Sequence, residues 1–166
     1  IRDRPLTIRS KLRRASVAIG IDIETHALSP KSRHIEVGEF GWHLWGESSS
    51  LDALRIIQIG WVKGSTHSLE VQLRNCSIVR PDTFAISAAA TDIHGIAQDT
   101  AIMMGRPLAD VLKEFMADVM AAAATGAVIC AHHLEFDAGI ILRELRRSGL
   151  DELADSWSDI AKRGYC

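Results

Sequence analysis

Only three cysteines occur in the 166 residues, Cys76, Cys130 and Cys166. Their odd number and wide spacing argue against a disulfide framework and a zinc-ligand cluster, and point to a reducing, intracellular compartment, with organelle and nucleus both open. Also missing is any apolar run long enough to span a membrane, since the Ala-rich stretch from Met120 to Ile129 is broken by Thr125 and Gly126 and preceded by Asp118. No membrane partner is expected. An excess of either charge is missing as well, with 19 Lys and Arg against 21 Asp and Glu. A formal net charge of −2 and a pI near 6.4 neither announce a nucleic-acid binder nor exclude one, because a site that works through metal ions needs positive charge only around its cleft.

The most telling absence is local. No Lys or Arg lies between Ile19 and Pro30, yet Asp22 and Glu24 stand together at the exit of the stretch Val17-Ala18-Ile19-Gly20-Ile21-Asp22-Ile23-Glu24-Thr25. Its opening run of small or branched apolar residues predicts a strand buried on both faces. Successive side chains on a strand alternate, so Asp22 and Glu24 project to one side and Ile23 to the other. Two like charges at this separation repel by about 1 kcal/mol near a surface and by more in a partly buried cleft. Either both are solvated strand-end acids, or the site takes a hard divalent cation with oxygen ligands.

What is present fits one domain with a real core: 47% of the residues are apolar and 24% charged. Residues 1–16 read as a basic arm or linker, with Arg2, Arg4, Arg9, Lys11, Arg13 and Arg14 against Asp3. Such an arm is a solvated linker, a phosphate contact or the remnant of an organelle-targeting sequence. An insertion follows at about 29–54, where Phe40, Trp42 and Trp45 either pin it to the body or stack on bases; His34–Val37 within it reads as a short strand. Arg55–Val62 predicts a second buried strand and Ser68–Arg74 a third with one wet face, joined by a turn at Gly64-Ser65. Pro107 opens an amphipathic helix carrying Leu108, Val111, Leu112, Phe115, Val119 and Met120. Ala127–Ala131 predicts a fourth strand, and Leu134–Arg147 a helix stopped by Gly149. Asp137 falls in the first turn of that helix, where a carboxylate is either a favourable dipole partner or part of a site.

Taken in order, Asp22-Ile23-Glu24-Thr25, the strand Ile56-Ile57-Gln58-Ile59-Gly60, the stretch Ile93-His94-Gly95-Ile96 and Ala131-His132-His133-Leu134-Glu135-Phe136-Asp137 resemble the DEDD superfamily of 3′–5′ exonucleases, of the proofreading (DnaQ-like) type. The resemblance covers about Val17 to Leu150. It implies an α/β chain with a ribonuclease H-like mixed sheet: three antiparallel strands followed by parallel strand-helix units, in an exonuclease-like domain spanning 17–166. By resemblance Asp22, Glu24 and Asp137 are the metal-binding, catalytic carboxylates for two divalent cations, Mg²⁺ or Mn²⁺. Thr25 and Leu28 hold the terminal nucleotide of a single-stranded DNA or RNA 3′ end, and His94 and Ile96 line the same pocket. The chain departs from the pattern in three places. His133 stands where the second motif carries Asn, and the connection after the first strand is long. The third motif, His-x-x-x-x-Asp, has no counterpart, since no His follows His133. The expectation is a fold incomplete at its C-terminus, with weak hydrolysis at most, or a non-catalytic relative that binds nucleic acid or protein. The acids Asp151, Glu152, Asp155 and Asp159 read as solvated surface. His132 and His133 read as loop hydrogen-bonders, because hard Mg²⁺ prefers oxygen.

Overall fold

The computed structural model describes residues 15–28 and 51–165. Four strands, β1 (Val17–Thr25), β2 (Ile56–Ser65), β3 (Val71–Ile78) and β4 (Val128–Cys130), form one mixed sheet in the order β3-β2-β1-β4. β2 pairs antiparallel with both β1 and β3, and β4 runs parallel to β1. This is the arrangement expected from the sequence. Tyr165 adds a parallel bridge alongside β4, its N–H donating to the Ile129 carbonyl at 2.8 Å and its carbonyl accepting from Ala131 at 3.2 Å. Five helices complete the described chain: α1 (Ala88–His94), α2 (Gln98–Met104), α3 (Leu108–Ala124), α4 (Leu134–Arg147) and α5 (Asp151–Ala161). None is long and apolar enough to cross a membrane.

Packing corrects the reading of β1 as buried on both faces. Ile19, Ile21 and Ile23 are buried, whereas Ala18 and Gly20 are only half-buried and Asp22 is exposed. The small residues count as apolar but offer no bulk to cover, so the helices pack on the isoleucine side alone. There the register sets Ile21 opposite Trp61 and Ile23 opposite Ile59. α3 fills the space with Val111, Leu112, Phe115, Met116 and Val119, and α4 adds Ile140, Ile141 and Leu145. Three rings tie sheet to helices: Phe115 meets Trp61 and Trp157 edge-on, each pair at 5.4 Å between centroids. Both indoles spend their N–H locally, Trp61 on the Asp118 carboxylate at 2.8 Å and Trp157 on the Ala138 carbonyl at 3.0 Å. Burying these large rings with their N–H groups satisfied gives the core much of its hydrophobic stabilisation.

Two further expectations shift. The turn predicted at Gly64-Ser65 lies later, because β2 continues through Ser65 and the chain reverses before β3 begins at Val71. The Ser65 hydroxyl accepts from the amides of His67 and Ser68 at 3.2 and 3.1 Å, and Leu69 takes the turn's positive φ of 58°. Gly64 sits instead at a register irregularity, where an added Cβ would lie 2.8 Å from the Glu70 carbonyl. The acids at 151, 152, 155 and 159 are exposed as expected, but they ride on α5, whose other face buries Ala154, Trp157 and Ala161. Pro107 occupies the N-cap position of α3, just ahead of its first turn. Residues 1–14, most of the insertion with His34–Val37, Phe40, Trp42 and Trp45, and Cys166 lie outside the described residues.

Candidate active site

The carboxylates sit where the bare side of β1 meets the start of α4. Asp22 is exposed and Glu24 half-buried, while Asp137, in the first turn of α4, is 5% exposed. Burial pushes the Asp137 carboxyl up from its ordinary 3.8 to about 7; the Asp22 and Glu24 charges push the same way, and the Ile23 backbone N–H pulls against them. Glu24 is raised too, first by burial and then by Asp22, with His94 offsetting part of the effect. Asp137, far along the chain, therefore shares one electrostatic field with Asp22 and Glu24. No Lys or Arg pairs with any of them among the described residues.

An oxygen-only donor set, mutually repelling and without a protein cation, fits a hard divalent ion in kind. As the side chains stand, no three His, Cys, Asp or Glu among the described residues are gathered tightly enough to hold a metal ion.

Beside Glu24 a cleft of about 200 Å³ opens at the strand exit, lined by Glu24, Thr25, Leu28, Ile93, His94 and Phe136, among others. The Thr25 hydroxyl donates to the Ala27 carbonyl at 2.8 Å, turning the chain so that Leu28 becomes the rim. Opposite it, Ile93 is 70% exposed. His94 accepts the Ile96 N–H on Nδ1 at 3.0 Å, which places the proton of its neutral ring on Nε2. That Nε2 is buried and has no hydrogen-bond partner. Thus Thr25, Leu28 and His94 do converge on one cleft. Ile96 does not line it: its side chain is buried with Ile57 and Ala101 in a small separate cluster, where its apolar surface is better shielded. Ile93 and Phe136 join the lining without having been singled out from sequence, although each lies inside a stretch that was. Two larger hollows, of about 540 and 590 Å³, lie over the bare sheet face around Gly20 and Val62; only the first reaches Asp22. The smaller cleft is the better candidate, because, of the three among the described residues, it joins a perturbed carboxylate to an unpartnered donor.

Sheet order, strand directions and the helix after β4 define the class first: an α/β ribonuclease H-like fold. Particular solved structures share it. Product-bound exonuclease I superposes with a TM-score of 0.66 at 15% identity over 92% of this chain. E. coli exonuclease I in complex with a dT13 oligonucleotide gives 0.65 at 16% identity over 90%, and a zinc-bound E. coli exonuclease I–ssDNA complex gives 0.66 at 15% over 91%. The likeness is one of fold, and this chain spans only 30%, 27% and 27% of the length of those three. No family model matches the sequence, and no curated protein matches it.

Proposed function

We propose that this chain is a metal-dependent 3′–5′ exonuclease domain that takes the 3′ end of a single-stranded nucleic acid. The observation that carries the reading is Asp137: a buried carboxylate, raised to about 7, coupled to Asp22 and Glu24 and lacking a cation. Buried acids are ordinarily paired, and one left unpaired next to Phe136 of the cleft lining supports a functional reading. The exonuclease I neighbours, solved with product and with oligonucleotide, support the substrate class, and the zinc-bound form supports a divalent ion.

When bound, a pair of divalent ions supplies an activated water and neutralises charge on the leaving oxygen. The chain's own residues do the rest. Asp22, Glu24 and Asp137 must all be ionised to act as ligands, so Asp137 gives up its proton as the site fills. Thr25 and Leu28 form one wall for the terminal nucleotide, and Ile93 faces them across the cleft. His94 offers its Nε2–H to an acceptor oxygen on that nucleotide, satisfying the donor that the protein leaves open.

A second reading is a module of the same fold that binds single strands without cutting them. The spacing of the carboxylates favours it, since no three potential ligands among the described residues form a closed cage. One experiment separates the two: a 5′-labelled oligothymidylate is incubated with the chain in Mn²⁺ and followed for stepwise shortening, with Asp22→Ala in parallel. Slow shortening by wild type and none by the variant is the expected result, since the chain has no counterpart of the third motif. Binding without shortening establishes the second reading, and shortening that survives Asp22→Ala removes the first.

A further inference from the structure

The wall of the cleft is held from behind by a buried charge network that the proposed chemistry does not use. Glu144 on α4 is fully buried, and its Oε1 accepts from Arg55 Nε at 2.8 Å and from the Ile56 N–H at 3.2 Å. Side chain and backbone at the start of β2 are therefore fixed by one carboxylate. Arg55 in turn grips His26. Its N–H donates to His26 Nδ1 at 3.2 Å, and its carbonyl accepts the His26 N–H at 3.0 Å. Its guanidinium lies 4.8 Å over the Phe84 ring, which meets His26 edge-on at 5.0 Å. The His26 carbonyl accepts the N–H of Ser87 at 2.8 Å, and Ser87 caps α1, the helix bearing Ile93 and His94. Both walls of the cleft thus meet at His26, which is locked by Arg55 and, through it, by Glu144.

We propose that Glu144 and Arg55 are positioning residues for the 3′-end cleft, setting through His26 the spacing between the Thr25–Leu28 wall and the α1 wall. The proposal rests on the reading of that cleft as a nucleotide pocket. A buried ion pair adds little net stability over apolar residues of the same volume. Here it is spent on backbone groups of the segment that must be held in place. Supporting residues one layer behind a site commonly cost about 10–100-fold when removed.

The test compares wild type with Arg55→Gln, Glu144→Leu, the near-isosteric Glu144→Gln, and Val119→Ala, a core change on α3 remote from the strand exit. Two readouts are taken: affinity for a 5′-fluorescein oligothymidylate in metal-free buffer, where the proposed hydrolysis does not run, and backbone amide exchange. Arg55→Gln and Glu144→Leu should weaken binding about tenfold, and speed exchange at the His26 and Ser87 amides while amides in the middle of β1 keep their rates. Glu144→Gln, which retains acceptors for Arg55 and Ile56, should restore most of the affinity. Val119→Ala should lower the melting temperature without either local effect. Exchange that rises uniformly through β1, or affinity that tracks melting temperature alike in Arg55→Gln and Val119→Ala, overturns the proposal. Wild type that binds no oligonucleotide overturns the nucleotide-pocket reading, and the proposal with it, even if the selective exchange pattern is present; weak binding with uniform exchange overturns the proposal alone.

Discussion

Asp137 and Glu144 lie about two turns apart on α4, both buried, and each faces a backbone N–H of a strand, Ile23 for the first and Ile56 for the second. Among the described residues only Glu144 of the two has cations, Arg55 at 2.8 Å and Arg147 at 3.4 Å. One helix therefore carries a buried carboxylate held by cations and another with none among the described residues, although the Glu144 Oε2 itself accepts no hydrogen bond.

The first prediction concerns pH. A folded-state value of about 7 against an ordinary 3.8 means that Asp137 favours the fold while protonated. That contribution is fully present below about pH 4 and is lost as pH rises through about 7, to a total of up to about 4 kcal/mol at ~1.4 kcal/mol per unit. In metal-free buffer, urea midpoints of wild type should fall between pH 5 and 8, whereas Asp137→Asn should remove most of that slope. A wild-type midpoint that rises across this range contradicts the assignment.

The second concerns metal. At pH 8 Mn²⁺ should raise the melting temperature, and a concentration one hundred times Kd corresponds to about 2.7 kcal/mol. Asp22→Asn and Asp137→Asn should each abolish the shift, because ligands of one shared field act together. The shift should also shrink toward pH 5, as protons compete for Asp137.

A third test addresses the paired acid. Removing Glu144 as Glu144→Ala leaves Arg55 and the Ile56 N–H without their acceptor, at a cost of about 3–5 kcal/mol for breaking a buried pair. Chemical unfolding measures it directly, and a loss under about 1 kcal/mol would show that water replaces the carboxylate freely.

The fourth addresses the aromatic ladder. Phe115→Ala opens a cavity between Trp61 and Trp157, with which Phe115 makes edge-to-face contacts, and should cost about 3–5 kcal/mol. Tryptophan emission should change as well, since both indoles lose the same neighbour.

The shared side of Asp22 and Glu24 was legible because it follows from strand alternation, and the antiparallel order of β1 to β3 because the family resemblance implies it. The helices at 108–124 and 134–147 were legible from local periodicity. Other features depend on partners remote in sequence. Glu144 looks like any helical acid until Arg55, distant along the chain, is seen against it. α5 shows an acidic face whose solvated reading was right, but its burial hinges on Trp157 finding Phe115 and the Ala138 carbonyl. α1 and α2 are seven residues each, too short for a periodic signal to emerge. The open side of β1 was hidden because alanine and glycine look apolar whether or not anything covers them.

That open side has a consequence for how the chain can change. Ile19, Ile21 and Ile23 are answerable to the interior, while Gly20, Asp22 and Glu24 answer to solvent and to whatever visits it. Burial and exposure are thereby written on alternate letters of a single strand. Such a strand can exchange its solvent-facing letters while its scaffold persists.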